Sequence, residues 1–162
     1  MIIGKIVSAS SHVDYICQIY GAGETSRVPA PSDYSFGTFV AIEQPGGAYL
    51  VGIIANTMLM NPDFGSLGPR LSPEEDLAVF SPDYLAEQAT LVAIIAVGTA
   101  NAESAVMQGV PLVAADIDAL VRRLTDEEIE RFHVEGDRLR LSYLSLLLGF
   151  SSSPLMPALI QQ

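Results

Sequence analysis

The sequence predicts a mainly β protein with helices (α+β): a small six-stranded β-barrel followed by short helices and an apolar C-terminal segment. Three observations predict it. The first 55 residues hold four short β-branched or aromatic runs separated by turn residues. A fifth run, Ala89 to Gly98, is β-branched and closed by glycine. From Asp116 onward, capping residues precede apolar side chains at helical spacing.

Ile2-Ile3-Gly4-Lys5-Ile6-Val7 is the first strand, and Val13 to Tyr20 follows after a Ser-rich turn. Residues 21–36 read as a loop, because Gly, Pro, Ser and Asp supply turn geometry and deny ladder hydrogen bonds. Gly37 to Glu43 and Tyr49 to Ile54 then pair across Gln44-Pro45-Gly46-Gly47. Phe39, Val40 and Ile42 are apolar on both faces of their strand, which suits a barrel wall covered on its outside. Residues 58–72 form a second irregular stretch.

Ser72-Pro73-Glu74-Glu75 carries helix-start chemistry: a serine cap, proline in the first turn, and acids at the positive end of the dipole. That helix runs to about Phe80, and Ser81-Pro82-Asp83-Tyr84 starts another turn. Ala89 to Gly98 reads as a central barrel strand, with a buried helix as the competing reading. Residues 101–110 loop out, and Pro111-Leu112-Val113-Ala114 is a brief final strand.

Asp116 caps a helix bearing Ile117, Leu120, Val121 and Leu124. Thr125-Asp126-Glu127-Glu128 is a capping box opening a second helix, with Ile129 and Phe132 inward and an end near Gly136. The domain organisation is therefore a barrel over 1–115 with a helical insert near 72–88, and a helical extension over 116–162 packed on the barrel.

The 162 residues carry a formal net charge of −11, with Lys5 the one lysine beside seven arginines. Phosphate binding needs a basic patch that displaces counterions. Only Arg122-Arg123 and Arg138/Arg140 cluster, with acids close by, so direct nucleic-acid binding is not expected. The mean hydropathy of +0.36 is high. It fits either an apolar surface covered by a partner or a large core with Ala-rich helices. No leader is visible at the N-terminus, the apolar stretch 89–100 is short for a bilayer, and the tail from Leu141 is interrupted by Pro154 and Pro157. A cytoplasmic protein without membrane contact is the expectation.

The order of Ile3-Gly4-Lys5-Ile6-Val7, Gly37 to Ile42, Val51-Gly52-Ile53-Ile54, Thr90 to Gly98 and Gly109 to Ala114 resembles the HAS-barrel. That is the small six-stranded barrel in front of the ATPase core of HerA-type DNA translocases and rotary ATP synthase subunits. The resemblance spans about residues 1–135 and implies a module that helps assemble a ring and offers a docking surface. It implies no catalytic residues. HerA-type proteins continue into G-x-x-x-x-G-K-[ST]; no such motif exists here, so the chain is expected to be free-standing.

Other constellations reduce to simpler readings. Asp63-Phe64-Gly65 spells a kinase tripeptide without its partner motifs. Gly21-Ala22-Gly23 lacks the third glycine of a dinucleotide loop. His12 and His133 have no ligand-spaced partners, so no metal site is expected; His133 suits a helix C-terminus and His12 a turn. Cys17, alone, reads as a small buried hydrophobe. Glu74-Glu75-Asp76 and Asp126-Glu127-Glu128 fall in first helical turns, and Asp14 and Glu43 should point to solvent.

The functional expectation is a non-catalytic HAS-barrel-like assembly module with no cofactor. Its partners would be a second copy, as a homo-oligomer, or a separately encoded HerA-like ATPase. Its contacts would come from Leu139, Leu141, Leu144, Leu146, Leu147, Leu148, Leu155 and Leu159 in the tail. The alternative is a small barrel ligand-binding protein or enzyme using acidic residues near the 56–72 loop.

Overall fold

Strands form where β-branched residues alternate between two apolar environments. A computed structural model describes residues 1–60, 89–101, 105–149 and 155–161. The helical insert expected near 72–88 lies outside the described residues. β1 (Ile2–Ala9), β2 (Asp14–Ile19), β3 (Phe39–Glu43), β4 (Ala48–Met60) and β5 (Ala89–Asn101) stand where the sequence places strands. β5 is a strand and not the competing helix, and β4 continues to Met60 through residues that read as irregular.

Two segments depart from expectation. β6 (Val106–Gln108) lies inside the stretch that reads as a loop, while 111–114 carries no strand. Proline cannot donate to a ladder. The Pro111 carbonyl instead meets Nδ1 of His12 at 3.0 Å. The second departure is β7 (Leu120–Arg123), where the sequence predicts a helix capped by Asp116. Asp118 adopts φ 66°, which ends any right-handed turn. Its N–H donates to the Ile6 carbonyl at 2.8 Å, and the Ala119 carbonyl accepts from the Ile6 N–H at 2.9 Å. Those two bonds lay the chain against β1. Side chains 117, 120, 121 and 124 mimic a helical face, yet Ile117 is 57% exposed while Val121 is buried.

β7 completes the barrel. The strand order is β2-β1-β7-β3-β4-β5, closed by β2 pairing with β5, and every pairing is antiparallel. The closing strand therefore comes from beyond residue 115, inside the stretch assigned from sequence to the helical extension. β6 adds to the edge of β5 as a seventh strand. Bulges between Ile6 and Ser8 and between Val51 and Gly52 supply the bending that closure of so few strands needs.

The period of two sorts the core into two layers. Tyr15, Cys17, Val40, Ile42, Leu50, Ile54, Val92, Ile94 and Val121 pack together inside the barrel. Ala41, Tyr49, Val51, Ile53, Ile95 and Val97 face outward on the same strands and form a second apolar layer. Helices and turns cover that outer layer. α1 (Asp126–His133) follows β7, and β8 (Val134–Glu135) and β9 (Arg138–Leu139) make a small hairpin. α2 (Leu144–Gly149) and α3 (Met156–Gln161) complete the cover. Phe132, Tyr143, Leu147 and Leu159 are the buried contributions from this C-terminal part. Among the described residues, no helix is long and apolar enough to cross a membrane.

Gly98 sets how closely α1 approaches. A Cβ there would stand 2.9 Å from the Phe132 ring and would run into the Met107 carbonyl of β6. Glycine thus lets the Phe132 ring lie directly on β5.

Candidate functional site

The C-terminal part leaves a cleft against the barrel wall at the His133 end of α1, whose opposite end is fixed by a capping box. Thr125 Oγ1 accepts from the Glu128 N–H at 3.3 Å, and Glu128 Oε2 accepts from the Thr125 N–H at 2.9 Å. Glu128 also takes two hydrogen bonds from the Arg122 guanidinium, each 2.8 Å. The Arg122 guanidinium holds the Glu128 carboxyl below the usual carboxylate range, and burial opposes it. α1 is thereby fixed to β7 at its first turn.

At its other end, His133 points along the barrel wall. Nδ1 lies 2.7 Å from the Ile129 carbonyl, and Nε2 lies 2.8 Å from the Tyr143 hydroxyl. A carbonyl can only accept, so Nδ1 carries a proton, and in the Nδ1–H tautomer Nε2 accepts from the Tyr143 hydroxyl. Phe39 meets the imidazole edge-on at 5.2 Å, as does Phe132. Tyr143 is 5% exposed, and burial pushes its phenol above the ordinary tyrosine value. It stays a neutral O–H.

Gln108 secures this arrangement from β6. Its amide N–H groups donate to the carbonyls of Phe132 (2.8 Å) and Arg140 (3.0 Å), and its oxygen accepts from the Ser142 N–H at 2.7 Å. One side chain thus joins the end of α1, the end of β9 and the start of α2. The resulting cleft has a volume of about 470 Å³. Phe39 and Ile53 form its barrel side, Leu144, Leu147 and Leu159 its helical side, and the His133–Tyr143 pair its polar spot.

A second hollow of about 550 Å³ is polar, with Gln44, Tyr49, Arg122, Glu128 and Arg131 around it. Its charges largely satisfy one another. Arg122 pairs with Glu128, reaches Glu43 at 3.5 Å and lies 5.2 Å over the Tyr49 ring.

The tail leucines divide into two sets. Leu147 and Leu159 are buried, and Leu144 and Leu146 pack against the outer layer. Leu139, Leu141, Leu148 and Leu155 are exposed. Of the arginines, Arg122 is tied to Glu128 and Arg140 to Glu135 at 3.0 Å. The Gly21 N–H donates to the Glu24 carboxylate at 2.7 Å, which occupies the turn where a dinucleotide loop would bind phosphate. Asp14 accepts from Ser11 near the surface, and Glu43 is exposed. Cys17 is fully buried, and burial pushes its thiol up to about 12. Asp63-Phe64-Gly65 and Glu74-Glu75-Asp76 lie outside the described residues. Among the described residues, no three His, Cys, Asp or Glu side chains converge as metal ligands.

Sequence reasoning placed His133 correctly at a helix end but missed Tyr143 and Gln108 as its supports. The available signal was Tyr143 itself, the one aromatic hydroxyl in the apolar run 139–150. Buried tyrosines usually find a hydrogen-bond partner.

No curated protein matches the chain. A family model does match, over residues 1–162, and the chain therefore belongs to the family described as a domain of unknown function, DUF8166.

Proposed function

We propose that the chain is a non-catalytic, HAS-barrel-like module that acts by protein–protein assembly in the cytoplasm. Its partner is a second copy or a separately encoded HerA-like ATPase. It makes no direct contact with nucleic acid or membrane.

The observation that carries this reading is an apolar surface held on a fixed loop. Val110, Leu112, Val113 and Ile117 are exposed along the stretch between β6 and β7, Leu112 by 80%. His12 binds the Pro111 carbonyl, and the Ala115 N–H donates to the Tyr15 hydroxyl at 3.0 Å. An apolar stretch presented on a fixed backbone fits a docking surface better than scattered single exposures do. Leu139 and Leu148 add further exposed apolar area on the C-terminal side.

The alternative, acid chemistry near the 56–72 loop, has less support. No polar or charged side chain is buried among the described residues, and residues 61–88 lie outside them.

The test is the mass of the purified protein by light scattering, together with affinity purification of the tagged chain from its own host. The expected result is a defined homo-oligomer or a near-stoichiometric ATPase complex. Leu112→Asp with Val113→Asp, or Leu139→Asp with Leu148→Asp, should dissolve it without unfolding the barrel. A wild-type monomer that recovers no ATPase would sink the reading.

A further inference from the structure

We propose that the cleft between the barrel wall and the C-terminal helices binds an uncharged, mostly apolar small molecule carrying one hydrogen-bond donor, such as an alcohol or a primary or secondary amide. The site is independent of the assembly surface described above, and neither proposal needs the other.

Size comes first. Small-molecule sites measure roughly 300–1,000 Å³, and this cleft is about 470 Å³. Such sites are mostly apolar with a few placed polar groups. Here Phe39, Ile53, Leu144 and Leu147 give the apolar walls, and among the described residues no Lys, Arg, Asp or Glu lines the cleft. A charged ligand would therefore lose hydration without gaining a counter-charge.

The polar spot dictates the ligand's functional group. His133 Nδ1 is committed to the Ile129 carbonyl, and in that Nδ1–H tautomer Nε2 accepts a hydrogen bond from the Tyr143 O–H. The Tyr143 oxygen has then donated its only proton and retains acceptor capacity. What the dyad can do for a ligand is accept a hydrogen bond. A hydroxyl or amide N–H satisfies it, whereas an ether or a carboxylate does not.

The dyad is also held in place before any ligand arrives. Gln108 fixes the carbonyl of Phe132, next to His133, and the N–H of Ser142, next to Tyr143. Phe39 and Phe132 both pack edge-on against the imidazole. Preorganisation of this kind lowers the entropic cost of binding.

The experiment uses 1-octanol, octyl methyl ether and octanoate as probes on the full chain, followed by NMR of the His133 and Tyr143 ring signals. The expected result is saturable 1-octanol binding that shifts both rings and is about 3- to 10-fold tighter than that of the ether, the value of one neutral hydrogen bond. Octanoate should bind more weakly than either. The double variant His133→Phe with Tyr143→Phe should bring alcohol and ether to equal affinity. Ile160→Trp, at a half-exposed cleft position, should block all three probes and keeps the test decisive if the double variant does not fold. Absence of saturable alcohol binding, equal binding of alcohol and ether to the wild type, or binding untouched by Ile160→Trp would each overturn the proposal.

Discussion

Arg122 on β7 and Glu128 on α1 meet fork to fork, with the two terminal guanidinium nitrogens each 2.8 Å from one carboxylate oxygen. The pair joins the strand that closes the barrel to the helix that covers its outer layer. Glu128 also caps its own helix through the Thr125 N–H, so one carboxylate serves two junctions.

A pH dependence follows from that geometry. The Glu128 carboxyl is held below its ordinary value, chiefly by the hydrogen bond from Arg122. The folded state therefore binds its proton less tightly than the unfolded state does. The stabilisation is complete above the unfolded pKa of about 4.3 and is lost as pH falls through the depressed folded value. Glu128→Gln should cost about 1–2 kcal/mol at neutral pH, since charge-assisted bonds contribute about 1.5–3 kcal/mol and partial solvent screening reduces that. Urea melts of both proteins from pH 7 to pH 2 check it: the two midpoints should converge at the acid end.

Gly98 carries the second prediction. A methyl group there meets the Phe132 ring at 2.9 Å and the Met107 carbonyl. Backbone cannot yield as a flexible side chain can, so Gly98→Ala should destabilise by about 1–3 kcal/mol, the usual range for overpacking. Loss of the ring-current shifts between Phe132, His133 and Tyr143 should accompany the drop in melting temperature.

These two sites show what was and was not legible in the sequence. The capping box at Thr125–Glu128 is a local pattern, and it folds as the pattern says. So do β1 to β5, because period-two alternation is set by neighbours along the chain. β7 was illegible for a physical reason. Residues 117, 120, 121 and 124 satisfy a helical period, but the Ile6 backbone binds at 118 and 119 and turns the segment into a strand. The Gln108 side-chain contacts reach across 24 to 34 positions, and no local pattern encodes them. The tail read as one apolar segment. Its division into buried Leu147 and Leu159 and exposed Leu139 and Leu148 depends on which face meets Tyr49, Val51 and Ile53 of the barrel.

That division makes a third prediction. Leu147→Asp puts a carboxylate into the outer core layer and should unfold or strongly destabilise the protein, by about 3 kcal/mol or more. Leu148→Asp, one residue on, should leave the stability within about 0.5 kcal/mol of wild type. Thermal melts of the two variants side by side check the assignment of inward and outward faces on α2.

Gln108 should govern the attachment of the C-terminal part. Its amide makes three hydrogen bonds to Phe132, Arg140 and Ser142. Gln108→Ala removes all three and should cost about 2–3 kcal/mol at about 1 kcal/mol each. The loss should be local first. Amide exchange at Ser142 and through α2 should accelerate while β1 to β4 keep their protection. Uniform acceleration across the barrel would show that α2 and the barrel open as one unit.

Cys17 reports on opening of the barrel itself. Its thiol lies in the interior layer and is pushed up to about 12 by burial. The thiolate is the reactive form, so iodoacetamide at pH 8 should leave the native protein unmodified and alkylate it quantitatively in denaturant. The sign of the pH effect is opposite to that of Glu128. The folded state holds the thiol proton more tightly, so this contribution is intact below the unfolded thiol value of about 8.5 and drains away as pH rises toward the folded one. Cys17→Ala removes the titrating group and leaves a small cavity. Its stability should be lower than wild type at pH 7, and the difference should shrink at pH 10. A native-state labelling rate equal to that of the free thiol would place Cys17 at the surface and contradict the barrel interior described for β2.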